Sequence, residues 1–190
     1  MQNNNAVATG TPHVCPHQIS FFLDNWIRRL IQNPKRIVGP YLQEGDTVID
    51  MGCGPGYFTI DMAKMVGPEG RVIAVDIQAK MLQQVRKKAQ KHGVAHRIDY
   101  HTAGMDNIGL GKKADFILAF YMIHEVPDMT HTLEELKALL NNNGKILAVE
   151  PKMHVSKAGF KTMLDAAEEI GLKAIDFPKR KGGRSVVWSV

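Results

Sequence analysis

The chain reads as an α/β protein with a doubly wound, mostly parallel seven-stranded sheet whose final strand runs antiparallel. Three observations predict this. From residue 46 to residue 150, short apolar or β-branched runs alternate with amphipathic stretches of helical period, the pattern of parallel strands joined by helical crossovers. The first such run, Val48-Ile49-Asp50, passes directly into Gly52-Cys53-Gly54-Pro55-Gly56, a glycine loop ahead of a helix. The last two runs, 172–177 and 185–190, are joined only by residues 178–184, too short for a crossover, so they pair antiparallel.

Size and composition set the frame. A chain of 190 residues is one domain able to bury a substantial core, and 44% hydrophobic with 23% charged residues is ordinary for a globular protein. No apolar run approaches the roughly 20 residues that span a bilayer, so no membrane partner is expected. Met1 to Gly10 is polar and lacks the basic and apolar regions of a secretory signal. Cys15 and Cys53 sit in unrelated contexts and read as reduced thiols, which points to the cytoplasm. The net charge of +5 is mild, and only Lys179 to Arg184 is a dense basic run. That permits nucleic-acid contact without requiring it.

In chain order, residues 1–12 read as a disordered lead-in, with three consecutive Asn and no apolar period. His13-Val14-Cys15-Pro16-His17 offers three possible metal ligands where a structural zinc site uses four. No metal is expected; a packed turn or a substrate contact are the other readings. Ser20 caps a helix over 21–32, with Phe22, Trp26 and Leu30 on one face, and Asn33-Pro34 ends it. A second helix is expected over 35–42. Residues 13–44 therefore form N-terminal helices, either packed on the sheet or acting as a lid. The main domain runs from 45 to 190.

Tyr57 to Val66 is the first crossover helix. The second strand, 71–76, ends in Asp76, twenty-six residues after Asp50. A carboxylate at that point accepts two hydrogen bonds from ribose hydroxyls, and capping the next helix is compatible with that role. That helix, 78–92, turns Met81, Leu82, Val85 and Ala89 inward and a basic face to solvent, with Gly93 as its cap. Strands follow at 97–102 and 114–120, the latter apolar almost throughout, as a central parallel strand should be. Thr130 or Thr132 opens the next helix to Leu140, placing Glu134 and Glu135 in its first turn. After a turn at 141–144 come a strand at 145–149 and a helix at 159–170, with Phe160, Met163, Leu164 and Ala167 inward. Asp50, Asp76, His124 and Glu150 all fall at or just after strand ends, the edge where doubly wound sheets bind ligands.

The glycine spacing narrows the ligand. A dinucleotide fingerprint, G-x-G-x-x-G, needs its third glycine at position 57, where this chain has Tyr57. A phosphate P-loop needs Lys-Ser or Lys-Thr after the glycines, and neither follows. What remains, Asp50 then Gly52, Gly54 and Gly56, resembles motif I (D-x-G-x-G-x-G) of the class I S-adenosylmethionine (SAM)-dependent methyltransferases. The resemblance covers residues 45–190 and takes in the antiparallel final strand.

The resemblance implies the Rossmann-like methyltransferase fold, SAM as cofactor and S-adenosylhomocysteine as product. It implies that Gly52, Gly54 and Gly56 wrap the methionine portion, that Asp50 orients its ammonium group and that Asp76 holds the ribose. Ile77 or Met105 flanks the adenine, and the cofactor shell extends to Cys53, Tyr57 and Phe120. Where the family often carries Gly-Asp-Ala after the third strand, this chain has Ala103-Gly104-Met105-Asp106, so either Asp106 or the backbone near Met105 reaches the adenine. The run Tyr121-Met122-Ile123-His124-Glu125-Val126-Pro127-Asp128 is similar to that of small-molecule methyltransferases. It makes His124 the candidate base or substrate contact, with Tyr121 lining the acceptor pocket and Glu150 or His154 within reach.

Absences point to a small-molecule acceptor. Phe120-Tyr121-Met122 is not the Asp/Asn-Pro-Pro-aromatic run of base amino methylation, no Pro-Cys stands there, and no acid pair for magnesium follows the fourth strand. Protein or RNA acceptors stay open through Lys179 to Arg184. Two other classes compete with methyl transfer: an NAD(P)-dependent oxidoreductase, disfavoured by Tyr57, and a SAM-binding protein without transferase activity.

Overall fold

The computed structural model describes residues 32–190. The expected lead-in at 1–12, the His13, Cys15 and His17 run, and the helix at 21–32 lie outside these residues, apart from Gln32.

Asn33-Pro34 opens a four-residue helix α1 (Pro34–Ile37), followed by a separate 3-10 turn at Gly39–Tyr41. The single helix expected over 35–42 is thus broken. Pro40 has no N–H to continue the α-helical ladder, so the chain goes on only as a 3-10 turn. Strand β1 (Thr47–Met51) runs two residues beyond the β-branched segment, so Asp50 is part of the strand and buried within it. The crossover helix α2 (Thr59–Met65) starts two residues later than expected, because Tyr57 and Phe58 still belong to the glycine turn. Strand β2 (Arg71–Asp76), helix α3 (Ala79–Lys91) and strand β3 (Ile98–Thr102) follow, with Gly93 at φ +69 closing α3. Strand β4 (Ala114–Phe120) has the expected bounds.

Helix α4 (Met129–Ala138) begins one to three residues earlier than its threonines suggested. Asp128 is its cap, accepting the His131 N–H at 2.9 Å. Glu134 and Glu135 therefore leave the first turn, and Glu135 instead accepts the Ile108 N–H through both carboxylate oxygens (2.9 and 3.0 Å). Replacing Asp128 with Ala should cost about 0.5–2 kcal/mol, the usual worth of such a cap. In a thermal melt that is a drop of about 1–8 °C for a domain of this size. No drop would assign the helix start to the threonines after all.

Strand β5 (Leu140–Pro151) absorbs the expected turn at 141–144. Its pairing with β4 shifts register between Ala114 and Phe116, and Asn143 takes φ +65, so the segment is a bulge inside a strand. Helix α5 (Lys157–Glu169), capped by Ser156, leads to β6 (Lys173–Asp176) and β7 (Gly183–Ser189).

The sheet order is β3-β2-β1-β4-β5-β7-β6. β1 to β5 are parallel, and β7 runs antiparallel between β5 and β6. Alternate strand residues face opposite layers. Val48, Val72, Phe116, Leu118 and Leu147 meet α2 and α3 through Met62 and Val85. Ile49, Ile73, Ile117, Ile146 and Trp188 meet α4 and α5 through Leu133, Leu136 and Met163. Burial of each such large side chain contributes about 1.5–3 kcal/mol, so both faces of the sheet are firmly covered. The chain winds outward from β1 to β3, then jumps back to β4 beside β1. This switch point opens a crevice at the carboxyl ends of the strands.

Candidate functional site

A cavity of about 440 Å³ occupies that crevice. Its floor is the end of β1 and the loop that follows. Gly52, Gly54 and Gly56 all have positive φ (+67, +52 and +84), which L side chains rarely adopt. Their surroundings differ. A Cβ on Gly52 would lie 2.9 Å from the Met122 Cβ, whereas one on Gly54 would meet nothing within 4 Å. Gly54 therefore keeps the cavity floor open. Gly56 stands apart from the cavity, 3.1 Å from the Val85 side chain by the same measure, and serves the close approach of the loop to α3.

Two carboxylates stand beside the loop. Asp50 accepts the Thr59 hydroxyl at 2.5 Å, from the first residue of α2. Asp76 accepts the Gly54 N–H (2.9 Å) with one oxygen and the Gln78 N–H (2.8 Å) with the other. Burial pushes the Asp76 carboxyl up from its ordinary value, and these two N–H groups pull it back down. Each carboxylate oxygen has a second lone pair, so Asp76 keeps acceptor capacity toward the cavity it lines. The cap position of α3 is Gln78, with no side-chain cap bond, so Asp76 is not the expected helix cap; it holds the Gln78 N–H just ahead of the helix.

Cys53 is a free, buried thiol whose N–H donates to the Val75 carbonyl. Burial pushes its pKa well up, with the Asp50 and Asp76 charges adding to the effect, which disfavours the thiolate form. Tyr57 is buried with its hydroxyl donating to the Gln32 carbonyl at 2.8 Å. Ile77 and Met105 are exposed apolar side chains on the cavity rim, joined there by the exposed Asp106.

The opposite wall comes from the end of β4. Phe120 stacks against Tyr121 with ring centroids 4.3 Å apart. Tyr121 takes φ +60, a conformation rare for an aromatic residue and one that surrounding contacts must enforce. Its N–H donates to the Val149 carbonyl at 2.7 Å, and its hydroxyl accepts the Gln32 side-chain amide at 3.2 Å. Beyond it, the His124 Nδ1–H donates to Glu150, which is almost fully buried and also accepts the Ile123 N–H at 3.1 Å. His124 Nε2 lies 3.4 Å from His154 Nδ1 and 3.9 Å from Glu125. The hydrogen bond to Glu150 raises the His124 pKa above the ordinary imidazole value, against a smaller opposing effect of burial. Burial likewise raises Glu125. Among the described residues, no group of three or more His, Cys, Asp or Glu side chains is arranged to hold a metal ion.

Of the sequence-derived site residues, Asp50, Gly52, Cys53, Gly54, Tyr57, Asp76, Ile77, Met105, Asp106, Phe120, Tyr121, His124 and His154 line one cavity, whereas Gly56 and Glu150 do not. Sequence reasoning missed Glu125, Gln32 and Met122. For Glu125 the adjacent His124 was a usable signal. Gln32 and Met122 reach the site only through long-range packing, which no local pattern reports.

A doubly wound sheet with an inserted antiparallel β7, a glycine loop after β1 and a carboxylate ending β2 define a protein of the methyltransferase fold class. The model of the family described as "Methyltransferase domain" matches residues 42–176, and the chain belongs to that family. SAM is the cofactor of this class and S-adenosylhomocysteine its product. A demethylmenaquinone methyltransferase of Lactobacillus johnsonii is 28% identical over 193 aligned positions, which cover 93% of this chain and 68% of that protein. The ubiquinone/menaquinone biosynthesis C-methyltransferase UbiE of Hahella chejuensis is 28% identical over 110 positions, covering 57% of this chain and 44% of its own length. Across several curated relatives, the match spans less than half of their length. Among solved structures, a SAM-dependent methyltransferase from Aquifex aeolicus superposes with a TM-score of 0.81 at 24% identity, over 92% of this chain and 98% of that one, which shows the shared fold. The nicotinamide-dependent alternative finds no support in these matches. Among the described residues, no helix is long and apolar enough to cross a membrane.

Proposed function

We propose that the protein moves a methyl group from SAM to a small, largely apolar acceptor. The observation that carries this reading is that one cavity joins the glycine loop, Asp50 and Asp76 to His124, Glu125 and His154. The residues present fit the cofactor. Gly54 leaves open space above the loop, Asp76 has acceptor capacity for ribose hydroxyls, and Asp50 supplies negative charge where a cationic amino group would lie. Ile77 and Met105 flank an adenine at the rim, with Asp106 or the backbone near Met105 reaching its amino group.

Bound SAM supplies an electrophilic methyl on a sulfonium, a leaving group that needs no further activation. The task of the protein is then alignment of nucleophile, carbon and sulfur, which is where most of the rate originates. Phe120, Tyr121 and Met122 present the acceptor with an apolar wall. Where the nucleophile arrives protonated, His124 takes the proton on Nε2, because Glu150 holds Nδ1–H and makes the ring more basic than free imidazole. His154, exposed and 3.4 Å from Nε2, passes that proton to solvent. The small-molecule acceptor is supported by the names of the relatives, which are quinone-pathway methyltransferases.

A thermal melt with SAM, S-adenosylhomocysteine, NAD and NADP tests the cofactor. A ligand at about 100 times its dissociation constant adds roughly 2.7 kcal/mol, which for this size raises the midpoint by about 5–11 °C. The rise is expected with SAM and its product and not with NAD or NADP. A rise with NAD instead would overturn the reading. Turnover of SAM to S-adenosylhomocysteine with an acceptor then separates a transferase from a protein that only binds SAM.

A further inference from the structure

A second recess, of about 140 Å³, lies on the far side of the Phe120–Tyr121 pair. Its wall carries four cations: Arg36 from α1, and Lys179, Arg180 and Lys181 from the loop between β6 and β7. Among the described residues no carboxylate lines it; the other polar groups are the amides of Gln32 and Asn33 and the hydroxyl of Tyr121. Among the described residues, none of the four cations is in an ion pair. Arg180 Nη2 donates to the Ile37 carbonyl at 3.1 Å and its side chain also hydrogen-bonds Tyr41, while its buried Nε has no acceptor among the described residues. Asp176, the acid nearest in sequence, accepts the Tyr41 hydroxyl at 3.4 Å.

Four like charges on one small concavity repel one another, and a buried guanidinium N–H without an acceptor is a cost the fold bears. An anion seated there relieves both. We infer that this recess is an anion subsite that binds a carboxylate or phosphate group carried by the methyl acceptor, the acceptor clause resting on the methyl-transfer reading above. The two cavities differ in sign. Asp50, Asp76, Asp106, Glu125 and Glu135 line the larger one and suit a cationic cofactor, whereas the charged side chains lining the recess, among the described residues, are all cations. Phe120 and Tyr121 line both, so the apolar body of an acceptor rests on these rings while its anionic end lies among the cations. The left-handed backbone of Tyr121 holds its ring at that boundary, and its hydroxyl meets the start of β7, 3.6 Å from where a Cβ on Gly183 would stand.

The test is calorimetric titration of the full chain at low ionic strength, where charge attraction is least screened. Three probes are used separately: S-adenosylhomocysteine, inorganic diphosphate and benzoate. Saturable binding of diphosphate or benzoate is expected, and the tighter of the two identifies the group as phosphate or carboxylate. Lys179 and Lys181 are exposed, so the double variant Lys179→Gln, Lys181→Gln keeps the fold. It should weaken the anion by about tenfold or more, given the strength of hydrogen bonds to charged groups, and change S-adenosylhomocysteine affinity by less than about twofold. Arg180→Gln should do the same from the buried side. Absence of saturable binding by both anions, or binding that neither variant weakens, overturns the subsite. If the anion binds and S-adenosylhomocysteine does not, the subsite stands and the methyl-transfer reading falls.

Discussion

Glu150→Ala should lower the stability of the protein by about 3–5 kcal/mol, the usual cost of removing one partner from a buried charged pair. For a domain of this size that is a loss of about 6–20 °C in the melting midpoint. The reason is local. Glu150 is 1% exposed and holds two donors, the Ile123 N–H and the His124 Nδ1–H, which the substitution leaves without an acceptor. Glu150→Gln retains an acceptor for one of them and removes the charge, so it isolates the electrostatic part. Because the folded His124 pKa lies above its unfolded value, this pair contributes its full stability below the unfolded value, about 6.5, and loses it as pH rises through the folded value. The gap between wild type and Glu150→Gln should therefore be widest between roughly pH 5 and 6.5 and shrink above that window.

The same substitution reports on catalysis. If His124 is the base, the rising limb of kcat/KM against pH lies above the ordinary imidazole value in the wild type and moves down to it in Glu150→Gln. A limb that stays in place would remove His124 from the chemistry and leave the pair a purely structural one.

Asp76→Ala should weaken binding of SAM and S-adenosylhomocysteine by about 1.5–3 kcal/mol, the worth of hydrogen bonds to a charged acceptor, or about 10- to 150-fold. The Gly54 and Gln78 N–H groups would lose their acceptor as well, so the glycine loop should loosen along with the ribose contact. Titration calorimetry with S-adenosylhomocysteine reads the loss directly. Asp76→Asn, which keeps one acceptor oxygen, should retain part of the affinity. Unchanged affinity in Asp76→Ala would confine this side chain to its two backbone partners.

These residues show what a linear reading can and cannot reach. The glycine loop was legible because positive φ demands glycine whatever lies elsewhere in the fold, and β4 because a strand buried on both faces needs an apolar run. The start of α4 was misjudged by one to three residues, since Asp128 and two threonines are all capable caps and only backbone geometry selects among them. Glu135 looked like a first-turn acid favoured by the helix dipole and turned out to clamp the loop at Ile108, 27 residues away. The residues at 141–144 had turn composition, yet the pairing of the flanking Leu140 and Lys145 with β4 carries them through as a bulge within the strand.

By itself the sequence determined the α/β winding, the antiparallel end, the loop that distinguishes a SAM site from a dinucleotide site, and the acids at the strand ends. These follow from local rules: period, turn length, and the φ that glycine alone readily accepts. Only the tertiary structure decided that Glu150 grips His124, that Gly56 serves helix packing while Gly54 opens the cavity, and that Arg36 joins Lys179, Arg180 and Lys181 around one recess. Each of those depends on groups brought together across the fold, and the strength of a charge or hydrogen bond is set by what surrounds it, not by its place in the chain.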